Sequence, residues 1–281
     1  MQSILNKIKW SLRRLNLNIK TEALVLEVGS GGNPYPRSNV LLDAYEETRE
    51  RHWDALVNDR PTVLSFGENL PFKDKAFDYV IAAHVLEHTP HPEKFLKELE
   101  RVAHAGFIET PDAFMERINP YKDHRLEVTL RNEGLVIRKK SSWICDEELV
   151  ELYEQRVKDI IATKTMSDYP SKFHMRFFWK DKIKFKVVNP SVDASWEAPP
   201  SDTNYDFKLT KKAKLRFFLL RLIRILFSQN SRNLKLDILS IMRCPKCHSE
   251  KLKKESEKII ICENCNLQFK YEKNIFYMSA F

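Results

Sequence analysis

The chain has 281 residues, 43% of them hydrophobic and 31% charged, with a formal net charge of +8 and a pI near 9.1. That length accommodates one full α/β domain and a smaller module, and 6 glycines with 13 prolines exclude a collagen-like or low-complexity chain. The basic balance favours an acidic partner such as RNA, an anionic membrane surface or a phosphorylated glycan carrier, and no window offers the roughly 18 continuous apolar residues of a spanning helix.

Residues 1–20 read as a basic amphipathic helix, with Ile4, Leu5, Ile8, Leu12 and Leu15 at helical spacing and Lys7, Lys9, Arg13 and Arg14 between them. This stretch lacks the apolar core and cleavage site of a secretory leader, so the expected compartment is the reducing cytoplasm, with peripheral attachment to the inner face of the membrane as an option. From 24 to 110, strand-like runs (24–28, 40–42, 62–64, 79–82, 107–109) alternate with helical patterns, of which 93–102 is the clearest. The alternation predicts a parallel sheet flanked by helices. Residues 125–140 read as a hairpin turning at Asn132-Glu133-Gly134, and 146–163 as a helix capped by Asp146. The aromatic stretch 173–188 reads as a second hairpin, 189–206 as a proline-rich linker, and 210–228 as a basic apolar helix. The predicted units are an N-terminal helix (1–20), an α/β domain (21–190), a linker with helix (191–237) and a cysteine module (238–281).

The first strand ends in a glycine turn that holds Glu27, Gly29, Ser30 and Gly31, and the second ends in Asp43. Glycines let backbone N–H groups approach a ligand closely, and a carboxylate accepts from both hydroxyls of a ribose. Pro34 breaks a G-x-G-x-x-G dinucleotide pattern, and no Gly-Lys-Ser/Thr follows to form a phosphate loop. Glu27 would repel a pyrophosphate and attract an ammonium group. Together these residues point to S-adenosylmethionine as the cofactor.

Three stretches, LEVGSGG, LLDAY and ENLPFKDKAFDYVIAAHVLEHTPHPEKFLKELERVA, resemble the class I S-adenosylmethionine-dependent methyltransferases of the type 11 kind, over residues 24 to about 112. The resemblance implies a Rossmann-like seven-stranded sheet whose sixth and seventh strands form a terminal hairpin, for which 173–188 is the candidate. It also implies cofactor contacts from Gly67, Glu68 and His84. Two features depart from the family. Only ten residues, two of them prolines, separate Gly29 from Val40, which predicts a tight loop or single helical turn in place of a crossover helix. Phe66 stands where the family commonly has an aspartate near the adenine. His88, after the fourth strand, and His124, after the fifth, are candidate general bases. Both also read as ordinary polar loop residues, and Cys145 as a small buried side chain.

Cys244, Cys247, Cys262 and Cys265 form two C-x-x-C knuckles with fourteen residues between them, a spacing that suits one structural Zn²⁺. The module around them resembles the small zinc-ribbon family that activates methyltransferases, which implies that it packs on its own catalytic domain. Residues 211–227 predict a helix that either packs within the protein or lies in a membrane interface, with Lys214, Arg221 and Arg224 as a basic stripe. The functional expectation is methyl transfer to a hydroxyl of a surface glycan or lipid-linked precursor at the cytoplasmic membrane face. An RNA or translation-protein methyltransferase with a built-in activator, and a scaffold without catalysis, are the alternatives.

Overall fold

A computed structural model describes residues 2–48, 55–199 and 211–279. Helix α1 (Gln2–Ser11) opens the chain. Strands β1 (Val25–Val28), β2 (Val40–Asp43), β3 (Thr62–Leu64), β4 (Phe77–Ala83) and β5 (Ala103–Pro111) follow, and they pair in parallel in the order β3-β2-β1-β4-β5. β1, β2 and β3 are buried on both faces, which is why they read as short apolar runs without alternation. Between β4 and β5 runs α2 (Pro92–Val102), started by a proline in its first turn. It buries Phe95, Leu96, Leu99 and Val102, each contributing about 1.5–3 kcal/mol of apolar transfer.

Among the described residues, the other face of the sheet has no such helix. Residues 30–39 form turns, as the two prolines imply. Buried Tyr35 packs with Val25, Ile81 and Phe107, and Leu17 and Ile19 lie against this cluster. Arg60, fully buried, donates from Nη1 to the Ser38 carbonyl at 2.6 Å and closes the loop from beneath.

After β5 come α3 (Ala113–Ile118) and the hairpin of β6 (Leu126–Arg131) with β7 (Gly134–Lys139). Asn132 and Glu133 both take left-handed φ at its turn (49° and 60°), so the predicted hairpin forms there. Asp146 caps α4 (Glu147–Arg156) by accepting from the Leu149 N–H at 3.0 Å. The helix expected to run to 163 instead breaks at Val157, giving the short α5 (Lys158–Ile160) and a π-helical turn over Ile161–Thr165. The β-branched run Val157, Ile160, Ile161, Thr163 and Thr165 opposes helix continuation.

The hairpin expected over 173–188 does not form. β8 (His174–Lys180) pairs antiparallel with β5, whereas β9 (Phe185–Val187) pairs in parallel with β7 in a separate three-stranded sheet. Asp181, at φ 62°, donates its N–H to the His104 carbonyl and turns the chain away. Phe185 and Val187, half-buried, then pack against the main apolar core.

Part of the proline-rich linker lies outside the described residues. α6 (Lys211–Phe227) and α7 (Asn230–Asn233) lead to a meander of β10 (Leu252–Lys254), β11 (Ile259–Cys262), β12 (Gln268–Glu272) and β13 (Ile275–Tyr277). β13 runs parallel to β3 in the register Ile275↔Thr62, so the cysteine module extends the main sheet to ten strands. Arg243 N–H to Pro71 O and Lys73 N–H to Ile241 O add a second seam, and Met242, Met278, Ile260 and Phe269 share one core with the sheet. The expected packing of this module on the α/β domain is present.

Candidate active site and metal centre

The predicted cofactor residues gather at the carboxyl ends of β1 to β4, where open parallel sheets bind ligands. Gly29 and Gly31 take left-handed φ of 74° and 58°. A Cβ on Gly29 would stand 2.6 Å from Val85 Cβ, so glycine is required to bring the turn against the end of β4. Gly31 N–H donates to Asp43 Oδ2 at 3.0 Å and Tyr45 N–H to Oδ1 at 3.3 Å, which orients the Asp43 carboxylate across the turn. Ser30 Oγ is buried and has no hydrogen-bond partner among the described residues. Beyond Asp43, exposed Tyr45 and Phe66 meet edge to face at 5.7 Å. Gly67 fits because Phe95 of α2 fills the space that a Cβ would need, and Glu68 accepts from the Thr89 hydroxyl.

Glu27 lies under this turn. Its Oε2 accepts from Tyr35 N–H at 2.8 Å and Ser38 Oγ at 2.5 Å, so the carboxyl ties the short crossover to β1. Burial pushes it up to about 7, against the lowering pull of those two hydrogen bonds.

His84, the last cofactor candidate, follows β4 with φ 56°, a strained conformation for a residue with a Cβ. Its N–H donates to the Glu109 carbonyl at 2.7 Å, and its ring nitrogens stand 3.4 Å from carboxylate oxygens of Glu87 and Glu109. Burial alone would lower this imidazole, yet the two carboxylates prevail and push it up to about 9. Glu109 is also bound by Arg176 Nε at 2.8 Å and is held down near 2 against the raising effect of its burial. An imidazolium held in this way is no proton acceptor at neutral pH.

The candidate bases His88 and His124 come together across a cavity of about 360 Å³, their rings 4.8 Å apart and nearly perpendicular. The 3-10 turn Leu86–His88 places one and the loop before β6 the other. Motif reading passed over three neighbours. Glu109 lies near the carboxyl end of β5, a position that the carboxyl-end rule flags in any parallel sheet. Glu116 accepts from His124 Nδ1 at 2.7 Å. His174, from β8, lines the same cavity, and burial pushes it down to about 4, so it is neutral. Only the antiparallel pairing of β8 brings His174 here. Cys145, expected to be buried, is half-exposed.

Residues 26–107 match the methyltransferase domain family. Over those residues the chain carries a methyltransferase domain. It is 26% identical over 147 residues to an uncharacterized protein of Methanocaldococcus jannaschii, covering 50% of this chain and 67% of that one. A Thermotoga maritima S-adenosylmethionine-dependent methyltransferase is 18% identical over 54% of this chain and 72% of its own, with a TM-score of 0.34. A complex containing the Haloferax volcanii Trm112 methyltransferase activator is 12% identical, covers 64% and 94% of the two chains, and has a TM-score of 0.36.

The methyltransferase turn fits its cofactor on the structure's own terms. An orphaned buried hydroxyl at Ser30, an oriented carboxylate at Asp43 and an exposed aromatic pair lie in sequence for the amino-acid, ribose and adenine parts. The cysteine cluster fits a metal equally well. Its four sulfurs lie within 4.8 Å of one another, with Cys244–Cys265 at 3.7 Å and Cys247–Cys262 at 3.5 Å. A tetrahedral Zn²⁺ with bonds of about 2.3 Å needs sulfur separations of about 3.8 Å. Both knuckles close alike: His248 (φ 58°) and Asn266 (φ 56°) donate their N–H groups to the Cys244 and Cys262 carbonyls.

Proposed function

We propose that this methyltransferase acts on a hydroxyl of a cell-surface glycan or its lipid-linked precursor, met at the cytoplasmic face of the membrane. One observation carries the membrane half of that reading: most of the described apolar side chains of α6 are exposed. Leu215, Phe218, Leu219, Ile225, Leu226 and Phe227 are exposed, Leu226 to 75%, and Arg221 stands among them. The side chain of Lys214 lies outside the described residues. α1 repeats the pattern with exposed Ile4, Leu5 and Ile8, exposed Leu12 follows it, and its Trp10 ring lies 5.4 Å from His174 on the wall of the acceptor cavity. Such a surface suits an anionic leaflet, where each basic residue contributes about 1 kcal/mol. Among the described residues no helix is long and apolar enough to cross a membrane.

In this reading Gly29, Ser30, Gly31 and Asp43 bind the amino-acid and ribose parts of the cofactor. Gly67 and Glu68 border the adenine, with Tyr45 and Phe66 as the aromatic contact, and His84 flanks the reacting end. Glu27 supports the turn from below. Bound S-adenosylmethionine supplies an electrophilic methyl group to an in-line displacement. His88 and His124 engage the acceptor hydroxyl, and positioning supplies most of the rate. Cys244, Cys247, Cys262 and Cys265 hold one structural Zn²⁺, which fastens the ribbon whose last strand extends the sheet.

Sedimentation with anionic vesicles and bulk tRNA, separately and in competition across a salt series, tests the acceptor. Binding to vesicles should fall about tenfold or more when Phe218 and Leu226 are both changed to Glu. Preference for tRNA, unaffected by those changes and falling steeply with salt, would transfer the search to RNA. Asp43→Ala should abolish S-adenosylhomocysteine binding in calorimetry while leaving the bound zinc in place. Retained affinity would show that the ribose lies elsewhere.

A further inference from the structure

The two histidines that the methyl-transfer reading sets against the acceptor share their cavity wall with a third ligand, Glu87, which that reading does not use. One ligand atom each from Glu87, His88 and His124 lies within 4.8 Å of the other two, and all three residues line the cavity. Glu87 is only 2% exposed, and neither of its carboxylate oxygens has a hydrogen-bond partner among the described residues. Oε1 stands 3.4 Å from His84 Nδ1, beyond hydrogen-bond length. The His84 imidazolium offsets part of this charge, and both carboxylate oxygens keep lone pairs open to a further cation.

Both histidines are braced from behind. His124 Nδ1 donates to Glu116 Oε2 at 2.7 Å, and buried Glu116 is fixed in turn by Lys140 Nζ at 2.7 Å. His88 Nδ1 lies 3.2 Å from the Asp123 carbonyl. An imidazole that donates from Nδ1 carries its lone pair on Nε2, and a carboxylate or carbonyl behind the ring is the support that metal-binding histidines use.

We propose that Glu87, His88 and His124 bind a divalent transition-metal ion, Zn²⁺ for preference, in the wall of the acceptor cavity. Two imidazoles and one carboxylate suit zinc or its neighbours, whereas magnesium and calcium favour oxygen ligands throughout. Three protein ligands leave a coordination position open, as catalytic rather than structural zinc sites do. That position takes an oxygen of the acceptor, a hydroxyl or carboxylate, and holds it against the cofactor. The existence of the site is independent of the proposed function; its role in holding the acceptor rests on it.

The test compares the full chain with Glu87→Gln and His124→Gln variants, each equilibrated with micromolar Zn²⁺ and then desalted. Metal content, X-ray absorption at the zinc edge and S-adenosylhomocysteine calorimetry are recorded on each. The wild-type chain should carry about two zinc ions, one with an all-sulfur shell and one with a nitrogen and oxygen shell. Each variant should retain only the sulfur-bound ion. His124→Gln also disturbs the Glu116–Lys140 pair, so Glu87→Gln, which preserves shape and removes only charge, decides if the other variant fails to fold. A wild-type chain that binds S-adenosylhomocysteine yet carries only the sulfur-bound ion overturns the proposal. So does a nitrogen-bound ion that persists in both variants. Two ions in a chain that fails to bind S-adenosylhomocysteine would uphold the metal site and remove the methyl-transfer reading instead.

Discussion

The crossover from β4 to β5 and the crossover from β1 to β2 cover opposite faces of one sheet by different physics. The first uses α2, whose apolar stripe of Phe95, Leu96, Leu99 and Val102 enters the core within eleven residues of chain. The second has no helix and relies on polar groups joined over long sequence distances. Asn39 accepts from Val25 N–H at 2.9 Å, and its amide donates to Asn233 Oδ1 at 2.7 Å and Gln229 Oε1 at 3.0 Å. Arg232 donates to the carbonyls of Thr21, Glu22 and Ala23. The chain after α6 thus ties together the segments that lead into β1 and β2. An apolar face tolerates imprecision in its partners, whereas a buried polar face must have every group satisfied.

The largest expected effect that sharpens this contrast comes from the apolar side. Phe95→Ala should cost about 3–5 kcal/mol in urea unfolding. It should do so nearly independently of pH, since no titrating group is removed. A cost below about 1 kcal/mol would mean that α2 is not the principal packing element of its face.

Next comes a pH effect on the polar side. Glu27 in the folded chain sits at about 7 against an ordinary 4.5, because burial disfavours its charge. The folded state therefore binds this proton more tightly than the unfolded state. Stability then declines as pH rises from 4.5 to 7 and is level above that, by about 3 kcal/mol in total. Glu27→Gln can still accept from Tyr35 and Ser38 and should remove this component of the decline. Parallel stability profiles for Glu27→Gln and wild type across that window would show that the carboxyl is not buried as described. If the variant also lost S-adenosylhomocysteine affinity, Glu27 would regain the ligand-facing role that its sequence position suggests.

The smallest effect is the most specific. Asn39→Ala should cost about 2 kcal/mol by leaving the Val25 N–H unsatisfied. Combined with Gln229→Ala, it should show a coupling of at least about 0.5 kcal/mol. Strict additivity would deny that residues 229–233 support the end of the helix-free crossover.

The five parallel strands, α2, the 125–140 hairpin and the four-cysteine module were legible because each is written in local spacing: period, turn residues or C-x-x-C pairs. The 173–188 stretch was misread for the same reason. Its strand pattern is correct, but whether β9 returns to β8 or joins β7 depends on which apolar surface is already in place. The site divides in the same way. The glycine turn, Asp43 and the cysteines announce themselves in sequence, whereas Glu109, Glu116 and His174 acquire meaning only from what they face.

The sequence by itself determined the reaction class, the cofactor turn and the thiolate spacing, because these are encoded in residues a few positions apart, where backbone geometry alone fixes their mutual distances. Tertiary structure decided that the ribbon's last strand extends the sheet and that residues 229–233 tie together the segments leading into β1 and β2. It also decided that Glu87, His88 and His124 converge behind a pocket. Those arrangements join chain segments about 35 to 215 residues apart, and they are selected by burial and by the demand that every buried polar group find a partner.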